Sequence, residues 1–243
     1  APEIYEAEPE EGFVIMEDFG DISFRKALEQ KSSSGPVYTL ATDLLVKLAG
    51  LPDTIKLPED SESHVHKGRR RIVDWYLPIA RKEIIPPDMA DEYLDVWNTI
   101  ETGLPTGPQT FIHSDYHPDN LMWLPLEEGL DCVGILDFQG AMTSPQPYDL
   151  VNLLEDARSE VPQDTKDAMT GRYCMDMSPD QRETFIQWYK VLACQFHCRV
   201  AGQFIKMALK NGKTDYLKHL PRLTAYLRKE LDDPLLRPLN DWF

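Results

Sequence analysis

The 243-residue sequence predicts an α+β chain: a mostly helical body, a short β-hairpin near its middle and a pair of strands at its start. Long stretches space their apolar residues three and four apart, which lines one face of a helix; Leu40, Leu44, Leu45 and Leu48 are one such set. Two short apolar runs, residues 121–124 and 132–136, flank the turn-like Glu127-Glu128-Gly129 and read as two strands of a hairpin. Two further strand-like runs, residues 2–8 and 12–17, enclose Pro9-Glu10-Glu11-Gly12.

The elements follow in order. After the first strand pair, residues 22–30 are expected to form a short helix, closed by the linker Ser32-Ser33-Ser34-Gly35-Pro36. Residues 37–49 form the next helix, stopped at Gly50. Residues 51–68 are polar and contain proline, hence loop, with His64 and His66 exposed on it. The basic run Lys67-Gly68-Arg69-Arg70-Arg71 reads as a solvated helix start, or else as a patch for phosphate or an acidic partner, ahead of a helix over 70–85 that Pro78 kinks or breaks. Pro86-Pro87 starts a helix over 88–101 that buries Met89, Tyr93, Val96, Trp97 and Ile100. Residues 140–147 read as loop, 149–158 as a helix with Asp149 in its first turn, and 163–177 as another. Ser178 or Asp180 caps a long helix over 181–210, which Asn211-Gly212 ends. Its stripe of Phe185, Trp188, Leu192, Phe196, Val200 and Phe204 reads as core. A last helix spans 215–230 with Pro221 as a kink, and the apolar tail 234–243 docks on the body.

The composition, 42% hydrophobic and 27% charged, fits a soluble globular protein. No apolar run reaches the ~20 residues of a membrane helix, and the first residues are neither basic nor apolar, unlike a secretory signal. A net charge of −16 opposes binding to nucleic acid. Charge is uneven: residues 1–24 hold eight acids and no Lys or Arg, whereas 199–230 hold eight Lys or Arg against two acids, read as a solvated helix face. Four cysteines make no disulfide framework and point to a reducing cytoplasm. Cys194, His197 and Cys198 share a helix face but lack a second cluster, so they read as core rather than as a metal site.

Chemistry concentrates between residues 111 and 139. Asp115 lies two residues after His113 and five before Asn120, and Asp137 follows Asn120 by seventeen. Asn120 enters the first strand of the predicted hairpin and Asp137 leaves the second, so an antiparallel pairing makes them neighbours. An amide oxygen beside a carboxylate suits Mg²⁺, which takes oxygen ligands and is shared with substrate phosphates. Asp115, on the preceding loop, is placed to accept a proton from a hydroxyl. Phosphoryl transfer uses these parts.

His113-x-Asp115-x-x-x-x-Asn120 followed by Ile135-Leu136-Asp137-Phe138 resembles the catalytic loop and metal motif of the protein-kinase-like fold, and the run HSDYHPDN is similar to that of the aminoglycoside phosphotransferase (APH) family. Tyr148-Asp149-Leu150-Val151, Gly212-Lys213, Tyr216-Leu217 and Leu220-Pro221-Arg222 resemble the bacterial N-acetylmuramate/N-acetylglucosamine anomeric kinases within it. The resemblance implies ATP and Mg²⁺, with Asp115 as catalytic base, His113 as a brace of its loop, Asn120 and Asp137 as metal ligands, and Asp149 bonded to the catalytic-loop backbone. It also makes residues 1–19 the end of a small lobe and its hinge, with Met16, Glu17 and Phe19 around adenine, and residues 20–243 a helical large lobe. The glycine loop and lysine of a complete small lobe are not among these residues, since no glycine precedes Gly12 and no lysine precedes Lys26; as it stands the chain is expected to bind nucleotide poorly. Ser114 and Gln139 depart from the family pattern and concern the conformation of the loop.

The expected reaction moves the γ-phosphoryl group of ATP to a hydroxyl of a small sugar or amino-sugar. An aminoglycoside or amino-alcohol acceptor, which the negative charge would favour, and a non-catalytic nucleotide-binding module are the alternatives.

Overall fold

A computed structural model describes residues 1–30, 34–51, 56–59 and 64–243. Part of the Ser32–Ser34 linker, much of the loop expected over 51–68 and the side chain of His64 lie outside the described residues.

The chain opens with the antiparallel pair β1 (Ile4–Glu8) and β2 (Phe13–Met16), turned at Gly12, whose φ of 79° suits a residue without a Cβ. Helix α1 (Phe24–Gln30) follows. Helix α2 (Gly35–Ala49) begins two residues earlier than expected, because Pro36 fits a first turn, where its missing N–H costs nothing. The one-turn α3 (His64–Lys67) lies where loop was expected, and His66 on it is half-buried.

The helix expected over 70–85 is two pieces: a π-helical turn at Ile72–Tyr76 and α4 (Leu77–Arg81). Pro78 has no N–H to return to Asp74, and the Leu77 amide reaches back five residues to the Ile72 carbonyl instead. Proline therefore sits in the first turn of a new helix. Pro221 behaves alike: residues Thr214–His219 form a 3₁₀ segment, and Pro221 lies in the first turn of a helix over Leu220–Glu230 rather than kinking one.

Helix α5 (Pro87–Thr102) buries Ala90, Tyr93, Trp97 and Ile100, and leads to β3 (Gln109–Ile112). The central hairpin is β4 (Leu121–Trp123) against β5 (Val133–Ile135), with Leu121 opposite Ile135. Residues expected as loop contain β6 (Met142–Pro145), antiparallel to β3. Helices α6 (Tyr148–Leu154) and α7 (Gln163–Tyr173) each stop four residues short of expectation. After α6 the chain turns at Asp156, whose carboxylate receives the Arg158 amide and the Ser159 hydroxyl.

Helix α8 (Pro179–Asn211) starts at a reciprocal cap, Gln181 N–H to Ser178 Oγ and Ser178 N–H to Gln181 Oε1, and ends at Gly212 with φ 67°. Helix α9 (Leu220–Glu230) and α10 (Arg237–Trp242) close the chain, with Leu236 and Leu239 fully buried, as the docked tail predicts. One core joins α1, α2, α6 and the central hairpin through Phe24, Leu45, Tyr116, Leu121 and Leu150. A second joins the π turn, α5, α8 and the C-terminal helices through Ile72, Trp97, Val191 and Leu239. The loop between β3 and β4 is anchored in the first of these by Tyr116. The architecture is α+β and mostly helical, as predicted.

Candidate active site

The β3–β4 loop carries His113, Asp115 and Asn120. Its backbone is held in an unusual shape: Ser114 has a φ of 75°, rare for a residue with a Cβ. Asp149, buried in the first turn of α6, accepts the His113 N–H at 2.6 Å and the Ser114 N–H at 3.0 Å. One turn along the same face, Asn152 donates to the Ser114 carbonyl at 3.2 Å. Burial pushes the Asp149 carboxyl up to about 7, against the pull of the two backbone donors. Asp149 does not cap its own helix; that position is Pro147.

His113 ties the loop to the second strand of the hairpin. Its Nε2 meets the Leu136 carbonyl at 2.8 Å, and its Nδ1 accepts the Asp115 amide N–H at 3.3 Å. A carbonyl can only accept, so the proton is on Nε2 and the ring is neutral. Burial lowers its pKa, in keeping with that state. Leu136 returns its own amide to the Asn120 carbonyl at 3.0 Å, so the residue before Asp137 is tied to both ends of the loop.

Asn120 is buried and donates from Nδ2 to the Asp115 carbonyl at 3.0 Å and to Asp115 Oδ2 at 3.2 Å, which turns its Oδ1 away from both. Asp137, just beyond β5, is exposed in a left-handed conformation with φ 58°. An amide oxygen and an open carboxylate at adjoining strand ends are donors of the kind a hard divalent cation takes.

Asp115 is half-open to solvent and pairs with His117 Nε2 at 3.4 Å; His117 Nδ1 lies 3.4 Å from Asp119. Burial of the Asp115 carboxyl raises its pKa, but His117, then Arg158 and Arg199, outweigh this and bring it to about 2. Burial likewise disfavours the charged His117, and the two carboxylates override it, so its pKa is raised. Asp119 is clamped by Arg25 through Nε at 3.2 Å and Nη2 at 3.0 Å, and Arg25 also reaches Asp156 and Ser159.

The cleft in front of Asp115, about 280 Å³, is walled by Arg71, Arg158, Phe196, Arg199 and Tyr216 among others. Phe196, Val200 and Phe204 of the expected core stripe thus also face it, and Arg199, expected on a solvated face, is half-buried. Glu17 and Phe19 line a different cavity of about 680 Å³ together with Leu48, Leu130 and Val133. The Glu17 amide is already bonded to the Glu3 carbonyl at 2.8 Å, and the Phe19 ring covers Gly134 of β5. Met16 is exposed and pairs with Ile4.

Sequence reasoning missed Asn152, His117, Arg25 and the pairing of Arg71 with Arg199 across the cleft. Asn152 has a signal, three residues after Asp149 on one helix face, and His117 stands midway between Asp115 and Asp119. Arg25 and Arg71 meet their partners only through the fold. Cys194 and Cys198 are buried free thiols, and His197 bonds Glu230 at 2.8 Å and the Glu155 carbonyl at 3.1 Å. Those three residues are core, as expected.

A helical body, a loop locked between two strands, and an amide and a carboxylate at the adjoining strand ends of a short hairpin are the parts of a phosphotransferase of the protein-kinase-like fold. The chain belongs to the phosphotransferase enzyme (APH) family, whose model matches residues 1–193, and is a small-molecule kinase of that family. It is 30% identical over 252 residues to an N-acetylmuramate/N-acetylglucosamine kinase of Caulobacter vibrioides, covering 100% of this chain and 69% of that protein. A kinase of the same description from Neisseria meningitidis is 28% identical, over 94% of this chain and 70% of its own. Among solved structures, a choline/ethanolamine kinase family protein from Mesorhizobium loti superposes with a TM-score of 0.64 at 14% identity, covering 100% of this chain and 76% of that one. An aminoglycoside 2′-phosphotransferase-IIIa variant in its GDP complex gives 0.60 at 17%, over 95% and 76%. These two likenesses speak for the fold.

Proposed function

We propose that this protein transfers the γ-phosphoryl group of ATP to a hydroxyl of an amino-sugar, the anomeric hydroxyl of an N-acetylated hexosamine first. The bond from Asn120 Nδ2 to Asp115 Oδ2 carries the reading, because it sets the residue that receives the hydroxyl beside the residue that faces the metal. The names of the relatives at 28–30% identity supply the acceptor.

In this reading Asp115 accepts the hydrogen bond of the acceptor hydroxyl and aims its oxygen at the phosphorus. A carboxyl with a pKa near 2 is ionised at neutral pH, so it orients the hydroxyl and takes the proton late, as a loose transition state allows. Asn120 and Asp137 would hold Mg²⁺, which when bound neutralises charge on the transferring phosphates. His113 and Asp149 position the loop and touch no reacting atom. Residues 1–19 act as the end of the small lobe and the hinge, with Met16, Glu17 and Phe19 on the adenine side, and residues 20–243 as the large lobe. We place the protein in the cytoplasm, on its free buried cysteines. No helix among the described residues is long and apolar enough to cross a membrane, and the charge of −16 disfavours nucleic acid.

That same charge would draw an aminoglycoside or amino-alcohol, but the cleft itself presents arginines. The intact Asp115, Asn120 and Asp137 speak against a purely binding role. The test is an acceptor screen with ATP and the full-length protein. Free N-acetylhexosamines are expected to be phosphorylated at the anomeric oxygen, and Asp115→Asn to lower kcat by about 10²–10⁴-fold. Turnover of aminoglycosides alone would remove the acceptor assignment.

A further inference from the structure

Two arginines converge on the cleft in front of Asp115, and among the described residues neither is clasped by a carboxylate. Arg71 lies one residue before the π turn and Arg199 on α8; both are half-buried and both line the cleft. Among the described residues neither has an ion pair, whereas the nearby Arg25, Arg69, Arg70 and Arg158 each have one. Arg199 is steadied by neutral groups, the Tyr148 hydroxyl at 3.2 Å and the Phe196 ring at 5.5 Å, which fix its direction without cancelling its charge. Asp156 on the same wall is already committed to Arg25 and Arg158.

The chain goes to some length to bring these cations together. A Cβ at Gly202 would lie 2.1 Å from the Arg71 carbonyl oxygen, so only glycine lets the backbone of the π segment press against α8. Gly202 is three residues beyond Arg199, on the same helix face. Burial and the neighbouring Arg199 lower the Arg71 pKa, which is the cost of holding two like charges in one pocket. Arg199 feels the field of Asp115 without an ion pair to it, and Arg71 has no carboxylate partner among the described residues until an anion enters.

We infer that Arg71 and Arg199 recognise a carboxylate on the acceptor, so that the preferred substrate is an acidic amino-sugar rather than its neutral counterpart. This rests on the reading of the Asp115 cleft as the acceptor site. A guanidinium fork holds a carboxylate through paired charge-assisted hydrogen bonds, and a neutral sugar in the same cleft leaves both cations unanswered. Arg71 acts on selection, so its removal weighs on KM for the acid; Arg199 also helps to hold Asp115 ionised, so its removal reaches the transfer as well.

The test compares N-acetylmuramate, which carries a carboxylate, with N-acetylglucosamine, which does not, using the full-length protein, Arg71→Met, Arg199→Met and Arg71→Lys. The wild type should favour the acid in kcat/KM by about 10- to 100-fold, the worth of a charge-assisted bond or two. Arg71→Met should bring the ratio near unity through KM for the acid, with the KM for ATP kept, and Arg71→Lys should restore part of it; Arg199→Met should collapse the ratio as well. Thermal midpoints should not fall, since an unpaired buried charge has been removed; a structural arginine would lower them. A wild-type ratio near one, a parallel loss on both sugars, or a raised KM for ATP, which would assign the pair to the nucleotide phosphates, overturns the inference. Should the wild type phosphorylate neither sugar, the proposed reaction fails, and equilibrium binding still decides here: tighter binding of N-acetylmuramate that Arg71→Met abolishes upholds the inference, and equal or absent binding overturns it.

Discussion

The hairpins β1–β2 and β4–β5 are both antiparallel and apolar, yet every residue of the first is exposed whereas Leu121, Met122 and Val133 of the second are buried. Ile4, Tyr5, Phe13, Val14, Ile15 and Met16 keep 45–61% of their surface in contact with solvent. Leu121 keeps none, and Trp123 packs on Phe24 of α1 with ring centres 5.7 Å apart. Two ladders of similar length thus differ almost entirely in what lies beneath them. A two-stranded ladder is marginal in water, and stability comes from the surface it covers. The central hairpin is therefore a rigid mount, and the residues at its ends, Asn120 and Asp137, inherit that rigidity. The first hairpin offers an apolar face that nothing among the described residues covers.

The sharpest way to separate the two hairpins is at the end of β5. Asp137→Ala in the full-length protein should lower kcat on the order of 10³-fold and abolish the response to added Mg²⁺, with the fold retained by circular dichroism. Near-normal turnover would leave the metal assignment without support. Within the buried ladder, Leu121→Ala should cost about 2–5 kcal/mol in denaturant unfolding, because a fully buried leucine leaves a cavity. Where the two regions touch, Gly134→Ala would thrust a methyl to 2.5 Å from the Phe19 ring. A loss of about 1–3 kcal/mol is expected, reduced to the extent that the ring swings aside. In the exposed ladder, Ile15→Thr should change stability by no more than about 0.5 kcal/mol. A large loss there would mean that β2 is covered by something else in solution.

The loop between β3 and β4, with the side chains proposed for the chemistry, was legible because its logic is local. His113, Asp115 and Asn120 fall within eight residues, and the strands that follow announce themselves by apolar runs on either side of a turn. The long α8 was legible for the same reason, since Ser178, Gln181 and Gly212 mark its ends by side-chain chemistry. Strand β6 was not, because Met142–Pro145 has no alternation of its own and becomes a strand only by pairing with β3, some thirty residues away. The partners of Asp149 were given by family resemblance alone. A first-turn aspartate looks like a helix cap, and nothing in the order of residues says that its carboxylate turns to His113 and Ser114. Proline misled twice, at 78 and 221, because a helix interior and a helix start call for the same neighbours. Arg71 stood in a basic run that read as solvated, and its true setting depends on how closely two distant backbones approach at Gly202.

The π turn at Ile72–Tyr76 amounts to one residue more than an α-helix needs over the same rise. Deleting a single residue there would remove that extra residue while leaving the break at Pro78. Everything upstream of the deletion would then swing by about 100° around the axis relative to α4. The guanidinium of Arg71 would leave the wall it now shares with α8, and the shortened segment would make a less discriminating enzyme.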